Sequence, residues 1–150
     1  MKKKYALIWC IFIGLTVLSS SCKKKVAPIS ERIAKAWLAQ EVKYNNDVVF
    51  TRGGSNNIVL GYSNFRLTLS TVNGENKVTY IEFDGNSFSG TWALDGDSKL
   101  TLSGLTPEPT GTGGTISFTI DSIDDNQMVI TRTTTSKKTG DTKNTYTLVK

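Results

Sequence analysis

Residues 88–102 read Phe88-Ser89-Gly90-Thr91-Trp92-Ala93-Leu94-Asp95-Gly96-Asp97-Ser98-Lys99-Leu100-Thr101-Leu102. Large apolar side chains recur at alternate positions on both sides of a central Asp-Gly-Asp turn signal. A period of two places alternate side chains on one face of a strand, and Asp and Gly tolerate the backbone angles of a tight turn. This stretch therefore predicts two antiparallel strands, each with one buried face and one exposed face.

Similar segments follow one another through most of the chain. Short stretches rich in Val, Ile, Thr, Tyr and Phe are separated by clusters of Gly, Asn and Asp, which is typical of an all-β fold. Ahead of them, Ser30 is a candidate N-cap for a short N-terminal helix. We predict nine strands, near residues 37–45, 47–52, 58–71, 77–83, 87–94, 98–104, 115–122, 127–135 and 143–149.

The turn signals make consecutive strands antiparallel neighbours. Such a series either curls closed or packs as two sheets, and closure into a small up-and-down barrel of about eight strands removes the exposed edges. If every strand crosses the sheet once, one end carries the turns near 45–47, 72–76, 95–97 and 124–126, and the other end carries the helix and the loops near 53–57, 105–114 and 136–142. If the segment 47–52 does not cross, the helix changes ends.

Charge is distributed unevenly along the 150 residues. The chain has 18 Lys and Arg against 13 Asp and Glu, a formal net charge of +5. Six of those cations, three on each side of the first apolar run, precede Val26, whereas every acid lies at Glu31 or later. From Val26 onward twelve cations face thirteen acids, so the body of the protein carries a formal charge of −1. This near-neutral body argues against a nucleic-acid partner.

The composition also removes several kinds of chemistry. The chain has no histidine and only two cysteines, Cys10 and Cys22. Catalysis by Ser-His-Asp or Cys-His groups is therefore excluded, as are zinc sites built on His or Cys pairs. We expect a monomer without a cofactor, a metal or a catalytic site.

Residues 1–21 have the pattern of a secretory signal. Three lysines precede an apolar run of about 14 residues, shorter than the roughly 20 that a bilayer-spanning helix needs. Leu18-Ser19-Ser20-Ser21-Cys22 resembles a bacterial lipobox, which implies cleavage after Ser21 and lipid attachment to Cys22. The alternative is an ordinary secretory signal that ends beside a cysteine.

This resemblance divides the chain into three parts. Residues 1–21 are the predicted lipoprotein signal peptide, residues 22–29 the lipidated cysteine and a linker, and residues 30–150 the barrel domain. Lys23 follows the cysteine where an aspartate would retain the protein in the inner membrane, so the resemblance implies an outer-membrane lipoprotein facing the periplasm or the cell exterior.

The order of several short motifs resembles that of bacterial lipocalin-like lipoproteins. Trp37 follows the predicted helix, a strand reads Asn64-Phe65-Arg66-Leu67-Thr68-Leu69, a Gly-Thr-Trp strand contains Trp92, and the closing strand contains Tyr146-Thr147-Leu148. The similarity runs over most of residues 30–150. It implies a lipocalin-like barrel that binds a small apolar or amphipathic ligand without catalysis.

Two interpretations of the barrel interior stay open. An eight-stranded barrel is either filled by its own side chains or holds one small ligand. The candidate cavity-lining residues are Tyr62, Phe65, Leu67, Tyr80, Phe88, Trp92, Met128 and Tyr146. Trp37 is the candidate plug at the barrel base. With a filled barrel, the protein would instead be an enzyme inhibitor or an interaction module that binds another envelope protein.

Other polar groups have simpler explanations. The aspartates near 84, 95–97 and 124–125 lie in predicted turns, where their side chains bond the turn backbone. Glu41 and Glu82 would make a glycosidase pair only if the fold brought them together. The threonine-rich, basic run 131–138 could bind an anionic glycan, although such a run more often forms the exposed face and tip of a hairpin.

Overall fold

The computed structural model describes residues 26–150. The predicted signal peptide, the cleavage site after Ser21 and the lipidation site Cys22 lie outside these residues. The described part contains one α-helix, α1 (Ile29–Ile33), two 3₁₀ helices (Leu60–Asn64 and Lys137–Thr139) and nine strands. The strands are β1 (Ala36–Tyr44), β2 (Asp47–Thr51), β3 (Arg66–Val72), β4 (Glu75–Ile81), β5 (Ser87–Asp95), β6 (Lys99–Thr106), β7 (Ile116–Ile123), β8 (Gln127–Arg132) and β9 (Asn144–Val149). Within this part of the chain, no helix has the length and apolarity to span a membrane.

All the strands pair antiparallel, and the sheet closes on itself. The order is β2-β1-β3-β4-β5-β6-β7-β8-β9, and β1 also pairs with β9. Eight strands, β1 and β3 to β9, therefore form a closed barrel, to which β2 adds one extra strand. The predicted fold, an up-and-down barrel of about eight strands with a short N-terminal helix, is confirmed. A closed barrel with its first and last strands paired has the single continuous core of an independently folding domain.

The strands β2 and β3 share one edge of β1. β2 pairs with the second half of that edge, where Val42 faces Phe50, and β3 pairs with the first half, where Trp37 faces Leu67. Both run in the same direction, so β2 extends only halfway along the barrel and the chain must leave the sheet before β3 begins. The prediction of a continuous strand over 58–71 is wrong for this reason: the segment before Arg66 is a loop and a 3₁₀ helix.

This arrangement decides which connections share an end of the barrel. Lys35 Nζ donates to the carbonyl of Asp125 at 2.9 Å, which places α1 beside the turn 124–126. The backbone N–H of Asn45 donates to Lys143 at 2.8 Å, at the opposite end. The helix therefore lies with the turns near 73, 96 and 125, as expected for a β2 that does not cross, and the turn 45–46 lies with the long loops. We call these the helix end and the loop end.

The start of α1 differs from the prediction. The helix begins at Ile29, directly after Pro28, and no side chain caps it. Ser30 therefore lies inside the helix, and the prediction that it is the N-cap is wrong. The carbonyl of Pro28 accepts the first backbone bonds, from Glu31 and Arg32 at 3.1 Å each. A proline suits this position because its fixed φ matches the entry to a helix.

The strands β5 and β6 approach closely at Gly90, where the absence of a side chain leaves room. A Cβ atom built on Gly90 would lie 2.4 Å from the carbonyl oxygen of Ser103, which is far inside van der Waals contact. The register between these strands shifts at the same place, between Ser89 and Thr91. Gly90 is thus a packing position, as glycine inside a strand often is.

Candidate functional site

The eight predicted cavity-lining residues all point into the barrel. Each is at most 4% exposed, and together with the apolar residues of the other strands they form one continuous core. Their rings contact one another: Phe65 stacks on Tyr146 with centroids 5.0 Å apart, and Tyr80 packs against Phe88 at 5.9 Å. The side chains of the barrel itself thus occupy its interior.

Tyr62 closes the interior at the loop end. It sits on the 3₁₀ helix Leu60–Asn64 and is 1% exposed. Its ring lies 5.1 Å from that of Phe83, and its hydroxyl donates to the hydroxyl of Tyr44 at 3.1 Å. The neighbouring Gly61 lets this helix approach, since a Cβ there would lie 2.4 Å from the carbonyl oxygen of Phe83. Burial raises the pKa of the Tyr62 hydroxyl far above its ordinary range, so it acts as a hydrogen-bonding group.

Both predicted tryptophans lie toward the helix end. Trp37 is fully buried, and its indole N–H donates to the carbonyl of Ile33 in α1 at 2.9 Å. Trp92 donates to the carbonyl of Ser70 at 3.0 Å. Trp92 also lines an open cleft of about 910 Å³ between α1 and the adjoining strands, together with Glu31 and other residues. Trp37 fastens the helix to the end of the barrel.

Charged groups gather inside the loop end. Glu82 continues the inward-facing series of β4, and its side chain is only 6% exposed. Lys138 Nζ lies 2.5 Å from Glu82 Oε2 and 2.6 Å from Asp84 Oδ2. Tyr80 donates to the other Glu82 oxygen at 3.5 Å. A buried carboxylate is thereby paired and hydrogen-bonded, as a buried charge must be.

The ion pairs shift the pKa values of two of these groups. Partial burial acts to raise the pKa of Asp84, but the hydrogen bonds from Lys138 and from the Asn86 backbone outweigh it, so the pKa is lowered. Burial acts to lower the pKa of Lys138, but the hydrogen bonds to Asp84 and Glu82 outweigh it, so the pKa is raised. Both groups are therefore held in their charged forms.

The loop between β8 and β9 positions Lys138. The backbone N–H of Ser136 donates to Thr142 at 2.9 Å, and Thr142 in turn donates to the fully buried Asn144 at 2.7 Å. Gly140 adopts a left-handed φ of 74°, which allows the tight return of the chain. These bonds hold the 3₁₀ helix Lys137–Thr139 over the barrel opening.

Arg132 is the second buried charge at the loop end. It follows Met128 and Ile130 on the inward face of β8 and is 4% exposed. The expectation that the run 131–138 is only an exposed face and hairpin tip is therefore wrong for Arg132. The signal for its burial was present in the sequence, because the two-residue period of β8 ends on this arginine.

A smaller cleft of about 430 Å³ opens beside Arg132, between the loop 107–115 and the loop 133–143. Several of the residues that line it carry hydroxyl groups. The residues that line it are Gly111, Thr112, Thr115, Ser117, Arg132, Thr133, Thr134, Thr135 and Lys137. Of these, only Arg132 is an inward-facing, buried side chain with a charge.

The remaining carboxylates do not come together. Glu41 lies on the outward face of β1, 3.3 Å from Lys43 Nζ, whereas Glu82 faces inward. Asp84 and Asp124 accept backbone bonds within their turns, as predicted for turn aspartates. Among residues 26–150, no group of three or more Asp, Glu or Cys side chains is placed to hold a metal ion.

Comparison with known proteins identifies the family. The sequence model of the lipocalin-like domain matches residues 33–130. Two solved structures are similar in shape: an uncharacterised protein from Bacteroides eggerthii (13% identity, 78% of this chain, 98% of that one, TM-score 0.46) and a lipocalin-like protein from Bacteroides uniformis (12% identity, 79% and 98%, TM-score 0.44). No curated protein matches the sequence. Because the family match spans more than half of a chain that folds as a closed eight-stranded barrel, the protein belongs to the lipocalin-like domain family.

Proposed function

We propose that this protein is a non-catalytic binding protein, held to the outer membrane by lipid on Cys22, which binds a small amphipathic ligand at the loop end of its barrel. The observation that carries this proposal is the division of the barrel into two parts. Aromatic side chains occupy the interior and Tyr62 closes it, whereas the loop end has an open cleft with hydroxyl-bearing residues beside a buried charge. A lipocalin-like fold is of the ligand-binding type. The filled interior and the open cleft favour the loop end of the barrel, and not its interior, as the place where a ligand binds.

The position of α1 supports an orientation in which the loop end faces away from the membrane. Residues 23–28 separate the proposed lipid from the helix, and six residues span at most about 20 Å when fully extended. An anchor on Cys22 therefore keeps the helix end near the membrane and leaves the loop end available to ligands in the surrounding space. Several acyl chains on one cysteine hold a protein firmly, whereas one chain gives marginal binding.

The anchor can be tested by metabolic labelling with a fatty acid. We expect the wild-type protein to incorporate label and to fractionate with the outer membrane. The variant Cys22→Ser should lose the label. The matched control Cys10→Ser changes the only other cysteine, which lies inside the predicted signal, and should keep it. Equal labelling of the Cys22→Ser variant would contradict the anchor.

The ligand can be tested by native mass spectrometry of the protein purified from its own envelope. A small molecule that travels with the protein and is released on denaturation is the expected result. Recovery of unliganded protein alone would contradict the proposal.

A protein partner is the second candidate function. Three exposed apolar side chains, Val48, Ile58 and Leu60, lie on or next to β2, the strand outside the closed barrel. Exposed apolar side chains grouped beyond a filled core are typical of protein contacts. Cross-linking in intact cells, followed by identification of a specific envelope protein without any bound small molecule, would favour this function over ligand binding.

A further inference from the structure

Arg132 is a buried cation without a counter-ion in the described part of the chain. Its Nε atom is buried and has no hydrogen-bond partner. None of the ion pairs among residues 26–150 includes its guanidinium. Glu82 faces inward at the same end, but one of its carboxylate oxygens is bonded to Lys138 and the other to Tyr80. The charge of Glu82 is thus already paired with Lys138.

Such an arrangement is unfavourable in the unliganded protein. A guanidinium keeps its positive charge in proteins, and a buried charge is normally paired or fully hydrogen-bonded. An uncompensated buried charge strongly destabilises a folded protein. An unpaired buried charge beside a cleft becomes favourable when a counter-ion from outside the chain binds to it.

The cleft beside Arg132 provides the route and additional donors. It lies at the loop end between the loop 107–115 and the loop 133–143, and hydroxyl-bearing residues line it. Thr134 and Thr135 are exposed, so their hydroxyls can face a ligand. The guanidinium presents a planar fork of N–H groups that matches the two oxygens of a carboxylate or phosphate.

We propose that Arg132 is the binding residue for an oxyanion, a carboxylate or phosphate group, that enters through this cleft. The proposal rests on the proposed function, because it assigns the charged part of the amphipathic ligand. The oxyanion takes the place of the missing counter-ion, and the threonine hydroxyls donate to its remaining oxygens. A free anion and the headgroup of a lipid present the same chemistry to this site.

Calorimetric titration of a chain lacking residues 1–25 tests the proposal with four probes: inorganic phosphate, dodecyl phosphate, dodecanoate and the neutral dodecanol. Wild type should bind at least one oxyanion probe and bind dodecanol about tenfold or more weakly than dodecyl phosphate. Tight binding of inorganic phosphate would indicate recognition of a free ion. Binding of dodecyl phosphate or dodecanoate alone would indicate recognition of a lipid headgroup.

Two arginine variants separate binding from structure. Arg132→Met should weaken oxyanion binding about tenfold or more, whereas the control Arg66→Met changes an arginine on β3 outside the cleft and should bind as wild type does. Without anion, Arg132→Met should unfold at the same or a higher urea concentration than wild type, because a buried unpaired charge is removed. Wild type should gain thermal stability with phosphate or dodecyl phosphate, and Arg132→Met should not.

The outcomes that would overturn the proposal differ from those that would overturn the function. Equal binding of dodecyl phosphate and dodecanol, or equal oxyanion binding by wild type and Arg132→Met, would refute the role of Arg132 and leave a ligand-binding protein. A less stable Arg132→Met variant, together with a wild type that no anion stabilises, would make the arginine purely structural. Binding of none of the probes would refute the oxyanion site, while the proposed function would still be judged by the ligand recovered from the envelope.

Discussion

Lys138 lies between two carboxylates at the loop end of the barrel, and its removal tests how this end is held together. In the variant Lys138→Met, an unbranched apolar side chain of similar length remains but the ammonium group is lost. Glu82, whose side chain is only 6% exposed, then keeps a buried negative charge with a single long hydrogen bond from Tyr80. We expect the free energy of unfolding to fall.

The magnitude follows from the burial of the two partners. Removing one member of a buried ion pair typically costs about 3–5 kcal/mol. The Lys138 side chain is 17% exposed and that of Asp84 33%, so water reaches part of the cluster. We therefore expect a loss near the lower limit, about 3 kcal/mol, which is a large fraction of the roughly 5–15 kcal/mol that stabilise a typical domain.

Urea unfolding at neutral pH, followed by tryptophan fluorescence, measures this loss. The matched control is Lys137→Met, because Lys137 pairs with Asp141 at 2.8 Å on the surface, with both side chains more than half exposed. Exposed pairs contribute about 0–1 kcal/mol, so the control should change little. The double variant Glu82→Gln with Lys138→Met should recover part of the loss, because the unpaired charge is gone. Equal unfolding midpoints for the Lys138→Met and Lys137→Met variants would refute the reasoning.

Three further predictions concern the core, the backbone and the pH dependence. Tyr62→Ala should lower the free energy of unfolding, measured in urea, by about 3–5 kcal/mol, because it leaves a cavity where the buried ring closes the barrel. A change below about 1 kcal/mol would mean that neighbouring side chains move in to fill that cavity. Gly90→Ala should cost about 1–3 kcal/mol, since its Cβ would clash with the Ser103 carbonyl; an unchanged thermal midpoint would contradict the close packing. The lowered pKa of Asp84 means that its pairing with Lys138 stabilises the fold above the ordinary value of 3.8 and is lost as pH falls through the lowered pKa. The stability difference between wild type and Asp84→Asn, measured by urea unfolding, should thus be present at neutral pH and vanish in acid, and a difference independent of pH would exclude this origin.

The fold was predictable because its signals are local. Alternation such as that of Phe65, Leu67 and Leu69 gives each strand a buried face, and turn residues such as Gly96 join neighbours. The segment 58–65 misled the prediction because an apolar run is equally compatible with a strand and with a loop whose tyrosine folds inward. Its conformation depends on β2 and β3 sharing an edge of β1, which is a long-range relation.

The candidate site was predictable only in part. The aromatic residues were expected inside the barrel, but whether they fill it or line a cavity depends on side-chain packing. Glu82 and Lys138 are more than fifty residues apart in the sequence, and only closure of the barrel brings them together. Arg132 ends an inward-facing series in the sequence. Its lack of a counter-ion is visible only in the folded structure, where the distances to the neighbouring charged groups are known.

The sequence by itself therefore determined an antiparallel all-β fold without histidine chemistry, in which every acid follows Val26, and the order of its motifs resembled that of the lipocalin-like family. Periodicity, turn residues and composition act over a few neighbouring positions, so they can be identified without coordinates. Only the tertiary structure decided that the interior is filled, which end carries α1, and that, among residues 26–150, Glu82 pairs with Lys138 while no carboxylate pairs with Arg132. Packing density and the pairing of buried charges depend on residues far apart in the chain, and they are fixed when the barrel closes.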